Sequence, residues 1–361
     1  MKITYVVEWD AFHYSGVARK VNAQVKAWEE MSHSVQLVII SPKPNNHILQ
    51  NVFVCSNQTV ELHFSGGLIG KVAKAIAIQK AKVSINLFQP DVIYYRQSSW
   101  TPGIISLLKK AKTIVVEINS DDILEVSLSG VIRSKLYALT RSWLIKVASG
   151  FVCVTQEIAN LYSSFGCPVS VIANGFDLTS VEPRVPTDDA PIKAVFVGSD
   201  ALIWHGVDKI ITLAKLLPEI EFHIVGIDIK EKNNPRNIID HGYMSWSDLA
   251  ELYKRMDLGF GTLALYRKGM SEACPLKCRE YLAYGLPVIG GYKDTDLSGA
   301  EFYLEIDNTP TGAVEARNKI VEFANKWKNK SIDRRKVEAL IGTKMKEKNR
   351  LEFIKILSSS K

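Results

Sequence analysis

Two carboxylates with a helix start between them are the part of this sequence best suited to chemistry. In MSEACPLKCREYLAYGLPVI (270–289), Glu272 and Glu280 stand at an E-x7-E spacing, with Pro275, Lys277 and Arg279 between them. Pro275 fits the first turn of a helix, where its missing N–H costs nothing. A carboxylate before such a loop and another just inside the helix can each hold a hydroxylated part of one ligand. The helix start between them offers free backbone N–H groups to an anion. A nucleotide sugar has ribose, diphosphate and hexose in one molecule, and would use all three features. The competing reading is a surface ion pair between Lys277 and Glu280, three apart, and such pairs are common and weak. The charged loop running into the helix (Arg267, Lys268, Glu272) favours the ligand.

The elements that must position this motif alternate along the chain. KITYVV (2–7) reads as a buried strand, a helix spans about 17–31, and VQLVII (35–40) is a second strand. Strand–helix–strand with apolar strand cores argues for a parallel sheet. Further strands are expected at FVC (53–55), VELHF (60–64), DVIYYR (91–96), TIVVEI (113–118), GFVCVT (150–155) and VSVIANG (169–175). The proline-rich stretch EPRVPTDDAP (182–191) reads as a linker. A second alternating series follows: KAVFVG (193–198), a helix over 206–217, EFHIVGI (221–227), and a helix over 246–256 with Ser247 as N-cap. LGFGTL (258–263), the motif helix 276–284, LPVIGG (286–291) and FYLEI (302–306) complete it. The expected fold class is α/β, two facing Rossmann-like doubly wound domains. In open α/β sheets ligands bind beyond the carboxyl ends of the strands, where the distinctive loops of this chain all lie.

Length and composition agree with this. The chain has 361 residues, 47% of them apolar, enough for two cores. Five cysteines without a C-x-x-C pair, and no leader-like pattern before Glu8 and Asp10, point to reduced thiols and a cytoplasmic protein. The net charge of +7 is uneven: residues 326–361 hold 12 Lys/Arg against 4 Asp/Glu. This tail is either a solvated helix face or, with Trp327, Phe353, Ile354 and Leu357, a contact for an anionic membrane surface. The segment 131–147, with Arg133, Lys135, Arg141 and Lys146 beside Trp143 and Leu144, is a second candidate of that kind. Peripheral attachment at the inner membrane face would follow. Nucleic acid is not expected, since no basic stripe with interleaved aromatics runs through the chain.

The residues quoted above resemble those of the retaining GT-B glycosyltransferases, specifically glycosyltransferase family 4 within the glycosyl transferases group 1 class. The likeness rests on Glu272 and Glu280, on PLKCREYLAYGLPVIG (275–290), and on VFVGS…WHGVDKI (195–210) and VIANGFD (171–177). It implies an acceptor domain over 1–180, a linker over 181–192 and a donor domain over 193–342. A C-terminal helix over about 343–361 would cross back to the first domain. Glu280 would hold the ribose and Glu272 the donor sugar ring. Ala273, Cys274, Pro275 and Leu276 would offer backbone N–H groups to sugar and phosphate. Gly198-Ser199 and His205-Gly206 match the phosphate-binding positions, and Ser15-Gly16 a small-residue loop close to the phosphates. The family usually has an Arg and a Lys where this chain has Ser199 and His205. Arg267 and Lys268, with Lys277, are then the candidates for the missing charge. Asn174-Gly175 matches a structural turn.

The acceptor side is read from the first domain: His13, Arg96, and the acidic loop with Glu117, Asn119, Asp121 and Asp122. Helix capping by Ser120 or Asp121 is the alternative for that loop. The implied reaction moves a hexose-type sugar from a nucleotide diphosphate sugar to a glycan or lipid-linked acceptor, with retention and without a metal. Polysaccharide biosynthesis is the expected setting. Asp294-Thr295-Asp296 has metal-motif letters but reads as a loop. The alternatives are another GT-B enzyme, a nucleotide-sugar epimerase or hydrolase, and a non-catalytic nucleotide-sugar-binding partner.

Overall fold

The computed structural model describes residues 1–9, 16–42, 58–64, 70–127, 130–186, 191–199, 202–229 and 234–359. The chain forms two compact units, Met1–Ile172 with Thr343–Lys361, and Ala173–Gly342. The chain enters the second unit at Ala173, before the proline-rich stretch. Arg184 within that stretch is buried, donating to Asp257 Oδ1 at 3.2 Å and to the Trp327 carbonyl at 3.1 Å. Prolines therefore mark a strapped-down segment here, because one arginine satisfies several carbonyls at once.

The first unit contains β1 (Lys2–Glu8), α1 (Gly16–Glu30), β2 (Ser34–Pro42), β3 (Thr59–Phe64), α2 (Gly70–Phe88), β4 (Val92–Arg96), α3 (Ile104–Leu108), β5 (Thr113–Ile118), α4 (Asp122–Ser127), α5 (Val131–Ile145), β6 (Gly150–Cys153), α6 (Gln156–Tyr162) and β7 (Val169–Val171). Among the described residues its seven strands are parallel in the order β3-β2-β1-β4-β5-β6-β7. Strands β1, β4 and β5 are buried along both faces, as a parallel sheet covered by helices requires. The C-terminal helix Thr343–Ser359 belongs to this unit. Its Leu351, Ile354 and Leu357 share a core with Trp28, Tyr5 and Tyr94. The expected strand at 53–55 lies outside the described residues.

The second unit contains β8 (Ile192–Val197), α7 (Val207–Leu216), β9 (Ile220–Val225), β10 (Ile238–Asp240), α8 (Trp246–Tyr253), β11 (Leu258–Phe260), β12 (Glu272–Ala273), α9 (Leu276–Ala283), β13 (Val288–Gly290), β14 (Lys293–Asp294), β15 (Tyr303–Glu305), α10 (Gly312–Glu315), α11 (Arg317–Trp327) and α12 (Arg334–Ile341). Its main sheet is parallel in the order β10-β9-β8-β11-β13-β15, and β12 pairs with β14 in a separate small sheet. Helix α8 begins two residues earlier than a Ser247 cap would make it. The cap is Ser245, whose hydroxyl accepts from the Asp248 N–H at 3.2 Å. Two serines flank Trp246, and the one three residues before an available N–H takes the cap.

Each sheet reverses its strand order once, between β1 and β4 in the first unit and between β8 and β11 in the second. Those reversals are where an open α/β sheet leaves a crevice at its carboxyl edge. The residues with chemistry gather at both.

Candidate functional site

At the second reversal, the loop Ala273–Leu276 joins β12 to α9, and its shape is held from outside. The Asn174 backbone N–H lies 3.0 Å from Cys274 Sγ, and the Asn174 side-chain amide donates to the Cys274 carbonyl at 2.7 Å. Arg279, fully buried, donates to Asp294 Oδ1 at 2.7 Å, to Asp296 Oδ2 at 3.0 Å and to the Asn174 carbonyl at 3.3 Å. The letters of Asp294-Thr295-Asp296 are thus used to anchor α9 through Arg279. Asn308 braces the preceding turn, accepting from the Tyr266 N–H and donating to the Met270 carbonyl, both at 2.8 Å. Sequence reasoning took Asn174 as a turn residue and passed over Asn308. The only available signal for the first was its Asn-Gly pair.

Glu272 lies on β12, partly exposed, with Lys293 Nζ 3.8 Å from its carboxylate. Glu280 is buried inside α9, and Tyr253 Oη donates to its Oε2 at 3.3 Å. Both carboxylates therefore sit at the ends of one braced loop. Lys277, one position into α9's first turn from Leu276, reaches back to β8: its Nζ donates to the Val197 carbonyl at 3.0 Å and stands 4.4 Å over the Phe196 ring. Burial pushes its ammonium down to about 8, with Cys278 opposing weakly. Lys277 and Glu280 thus make these contacts with separate partners, Val197 and Tyr253.

Gly198 and Ser199 follow β8, and the 3-10 turn Ile203–His205 leads into α7. Gly206 caps α7 at φ 79°, and a Cβ there would meet the Ala264 nitrogen at 3.1 Å. Both facts favour glycine, since a side chain rarely adopts that φ. Lys268 is buried with its Nζ 4.9 Å over the Trp204 ring. Arg267 differs from expectation. Its guanidinium forms a two-point pair with Asp208 in the first turn of α7, at 2.8 and 2.6 Å, and donates to the Ile203 carbonyl. The turn Leu265–Lys268 points consecutive side chains in different directions, so Lys268 goes inward and Arg267 goes to the α7 carboxylate.

His205 is pushed down to about 2 by burial first and then by Lys277. Its imidazole is neutral throughout the physiological range. The unfolded chain takes up a proton near the ordinary value, whereas the folded unit refuses it. Stability from this group is intact above about pH 6.5 and is lost as pH falls below it. By about pH 5 the loss is at most about 2 kcal/mol. Replacing His205 with asparagine should flatten the urea-midpoint profile between those two pH values. An unaltered slope in the variant would assign the acid sensitivity elsewhere, His223 and His241 being the next groups lowered by burial.

In the first unit, Glu117 is fully buried and is not available to an acceptor. Its carboxylate takes Lys20 Nζ at 2.8 Å and Tyr5 Oη at 3.2 Å, with Arg96 at 3.5 Å and Arg350 of the C-terminal helix at 3.7 Å. Burial opposes its ionisation, but Lys20, Arg350 and Arg96 together hold the carboxyl well below the usual range. An acid near the end of an apolar strand does not show its partners in sequence; here three cations from three elements converge on it. Asp121 caps α4, accepting from the N–H groups of Ile123 and Leu124 at 3.1 Å, as the capping alternative has it.

Arg96 and Asn119 do line a cavity of about 300 Å³ with Glu8, Trp9, Gln97 and Ser98 at the first reversal. Arg96 lies 5.8 Å over the Trp9 ring, Asn119 Oδ1 accepts from Lys20 at 2.8 Å, and Ser98 donates to Glu8 at 2.6 Å. An indole, two carbonyl or hydroxyl groups and a carboxylate form a surface able to hold a hydroxylated ring. Gly16 opens α1. His13 and Ser15 lie outside the described residues.

Comparison with known proteins follows this geometry. Residues 14–180, just under half of the chain, match the family model described as Glycosyltransferase Family 4. No curated protein matches. Among solved structures, sucrose-phosphate synthase from Thermosynechococcus elongatus is similar with TM-score 0.72 at 13% identity, covering 100% of both chains. The pneumococcal O-GlcNAc transferase GtfA, solved with UDP and GlcNAc, gives TM-score 0.65 at 11% identity, covering 99% of each chain. Anabaena HepE, solved with UDP and glucose, gives TM-score 0.63 at 13% identity, covering 98% of this chain and 99% of that one. At these identities the likeness concerns architecture: this chain has the GT-B fold, two Rossmann-like units with the C-terminal helix returned to the first.

Proposed function

We propose that this chain is a glycosyltransferase that moves a hexose-type sugar from a nucleotide diphosphate sugar to a glycan or lipid-linked acceptor, with retention of configuration. The observation that carries the reading is the braced loop Ala273–Leu276, with Glu272 before it, Glu280 after it and the half-buried ammonium of Lys277 beside it. Glu280 would take the ribose hydroxyls and Glu272 the sugar ring. The first N–H groups of α9, with Lys277 and Lys268, would face the diphosphate. In the transition state the sugar gains oxocarbenium character while negative charge grows on the departing diphosphate. Preorganised cations and helix N–H groups aimed at that charge act without reorganising. The leaving phosphate would help take the proton of the incoming hydroxyl. The acceptor would lie in the cavity lined by Trp9, Arg96 and Asn119. The reading uses no metal, since Asp294 and Asp296 are committed to Arg279.

Nucleotide affinity tests the assignment directly. Glu280→Ala should weaken UDP, GDP or ADP binding, whichever the protein prefers, by roughly 10- to 100-fold, the loss of a buried charged hydrogen-bond partner. Calorimetry reads it, and an unchanged affinity would remove Glu280 from the site. Labelled nucleotide sugars incubated with and without candidate acceptors test the reaction. Transfer supports the proposal, whereas acceptor-free hydrolysis, isomerisation, or tight binding without turnover would each replace it. The anomeric configuration of the product, read by NMR, decides retention.

A further inference from the structure

Exposed apolar side chains are concentrated in one layer of the first unit. Of the seventeen large apolar residues exposed among the described residues, nine lie on α2, α4 and α5. On α2, Val72, Ile76, Val83 and Leu87 recur at spacings of four, seven and four, which puts them in one stripe of the helix. Leu87 is 83% exposed. On α5, Leu136, Leu139 and Trp143 recur at three and four, and Trp143 meets Trp100 edge-on at 5.4 Å. Sheet order places these helices together. The connections β3→β4, β4→β5 and β5→β6 all step the same way across the sheet, so right-handed crossovers put α2, α3, α4 and α5 on one face. The connection β1→β2 steps the other way, which puts α1 on the opposite face, where it packs with the C-terminal helix. Both stripes therefore point outward from the same layer.

Charge selects the occupant. Helix α2, GKVAKAIAIQKAKVSINLF, has lysines and no acid, and α5, VIRSKLYALTRSWLI, has arginines and a lysine and no acid. Lys74 and Arg141 are engaged by Glu8 and Asp122. Lys80, Lys135 and Lys146 are exposed beside the stripes, and Lys109 and Lys110 follow α3 in the same layer. Among the described residues the helices of this layer carry acids on α4, where Asp122 is taken up by Arg141 and Glu125 lines the cavity, and on α6, whose first turn holds Glu157. Basic helices with an outward apolar stripe match a bilayer surface carrying negative headgroups. The C-terminal tail fits less well: Trp327, Ile354 and Leu357 are buried, and the large apolar residues exposed on its last helix, Met345 and Ile356, stand eleven residues apart rather than in a stripe.

We propose that the α2–α5 face of the first unit is a docking surface for anionic lipid. The stripes Val72–Leu87 and Leu136–Trp143 would enter the headgroup region, with Lys80, Lys135 and Lys146 at the phosphates. This goes beyond sugar transfer and does not depend on it. The test uses the full chain sedimented with vesicles of phosphatidylcholine alone or mixed with phosphatidylglycerol. The paired variants are Ile76→Glu with Leu87→Glu, and Leu139→Glu with Trp143→Glu. The control is Met345→Glu with Ile356→Glu on the C-terminal helix. Wild type should bind the anionic vesicles at least about tenfold better than neutral ones, each stripe pair should lose about that factor, and the control should not change. Equal binding to both vesicle types, no binding to either, or stripe variants that bind as wild type does would overturn the proposal. So would dimers in gel filtration that the stripe variants abolish, which would make the face a protein contact. Nucleotide affinity measured on the same variants should be unaltered, so that a failed donor site is told apart from a failed lipid surface.

Discussion

Replacing Arg350 with methionine is expected to destabilise the first unit by about 3–5 kcal/mol, the cost of breaking a buried ion network by removing one partner. Arg350 is 1% exposed. It pairs with Glu347 on its own helix, stands 3.7 Å from Glu117 on β5, and lies 5.9 Å over the Tyr94 ring on β4. Methionine keeps the volume and the apolar stem but leaves two buried carboxylates short of a cation. The two would not suffer equally. Glu117 still has Lys20 and Arg96. Glu347 is already raised by burial with Arg350 in place, and would be left to take up a proton. The double variant Arg350→Met with Glu347→Leu should therefore recover most of the loss, since replacing a whole buried pair by apolar groups is often neutral. Hydrogen exchange at the β1, β4 and β5 amides reads this in the first unit alone. A single-variant loss under about 1 kcal/mol would mean that water reaches the network and screens it.

That network also shows where sequence reading stops. The apolar strands were legible: TIVVEI (113–118) coincides with β5, and the helix–strand order of both units follows from runs that must be covered on two faces. The loop before α9 was legible as a strand-to-helix turn because its carboxylates, proline and helix pattern lie within twenty consecutive residues. The partners of buried charges were not. Nothing local distinguishes Arg279, fully buried against Asp294, from Arg267, half-buried against Asp208, although both lie in the same charged stretch. Glu117 and Arg350 are separated by most of the chain, and only the return of the C-terminal helix brings them together. Periodicity reports which face of an element is apolar; it does not report which charged side chain crosses that face to meet a distant one. The basic tail meets the same limit: the sequence does not tell that Leu351, Ile354 and Leu357 face the core while Met345 and Ile356 stay outside with the lysines.

Lys277 carries the largest expected effect on activity. If the proposed reading is right, Lys277→Met should lower kcat/KM by roughly 10²- to 10³-fold, as when one preorganised donor to developing negative charge is removed. Arg267→Ala should cost less than about threefold, because a guanidinium already paired with Asp208 has little charge to offer a diphosphate. Methionine at 277 also loses the bond to the Val197 carbonyl, so a rate change alone would not separate charge from scaffolding. The proton does separate them. Burial holds the empty unit's Lys277 near 8, so at about pH 8.5 a large share of it is neutral. An arriving diphosphate favours the charged form and raises that value, and the amine must then take up a proton as the ligand binds. Calorimetry of UDP binding in two buffers of different ionisation enthalpy should show net proton uptake at pH 8.5, less at pH 7, and none attributable to this group in Lys277→Met. Affinity should fall as pH rises through 8 in wild type and stay flat in the variant. Proton uptake that persists in Lys277→Met would place the diphosphate against another group, and Lys268 is the buried cation next in position to receive it.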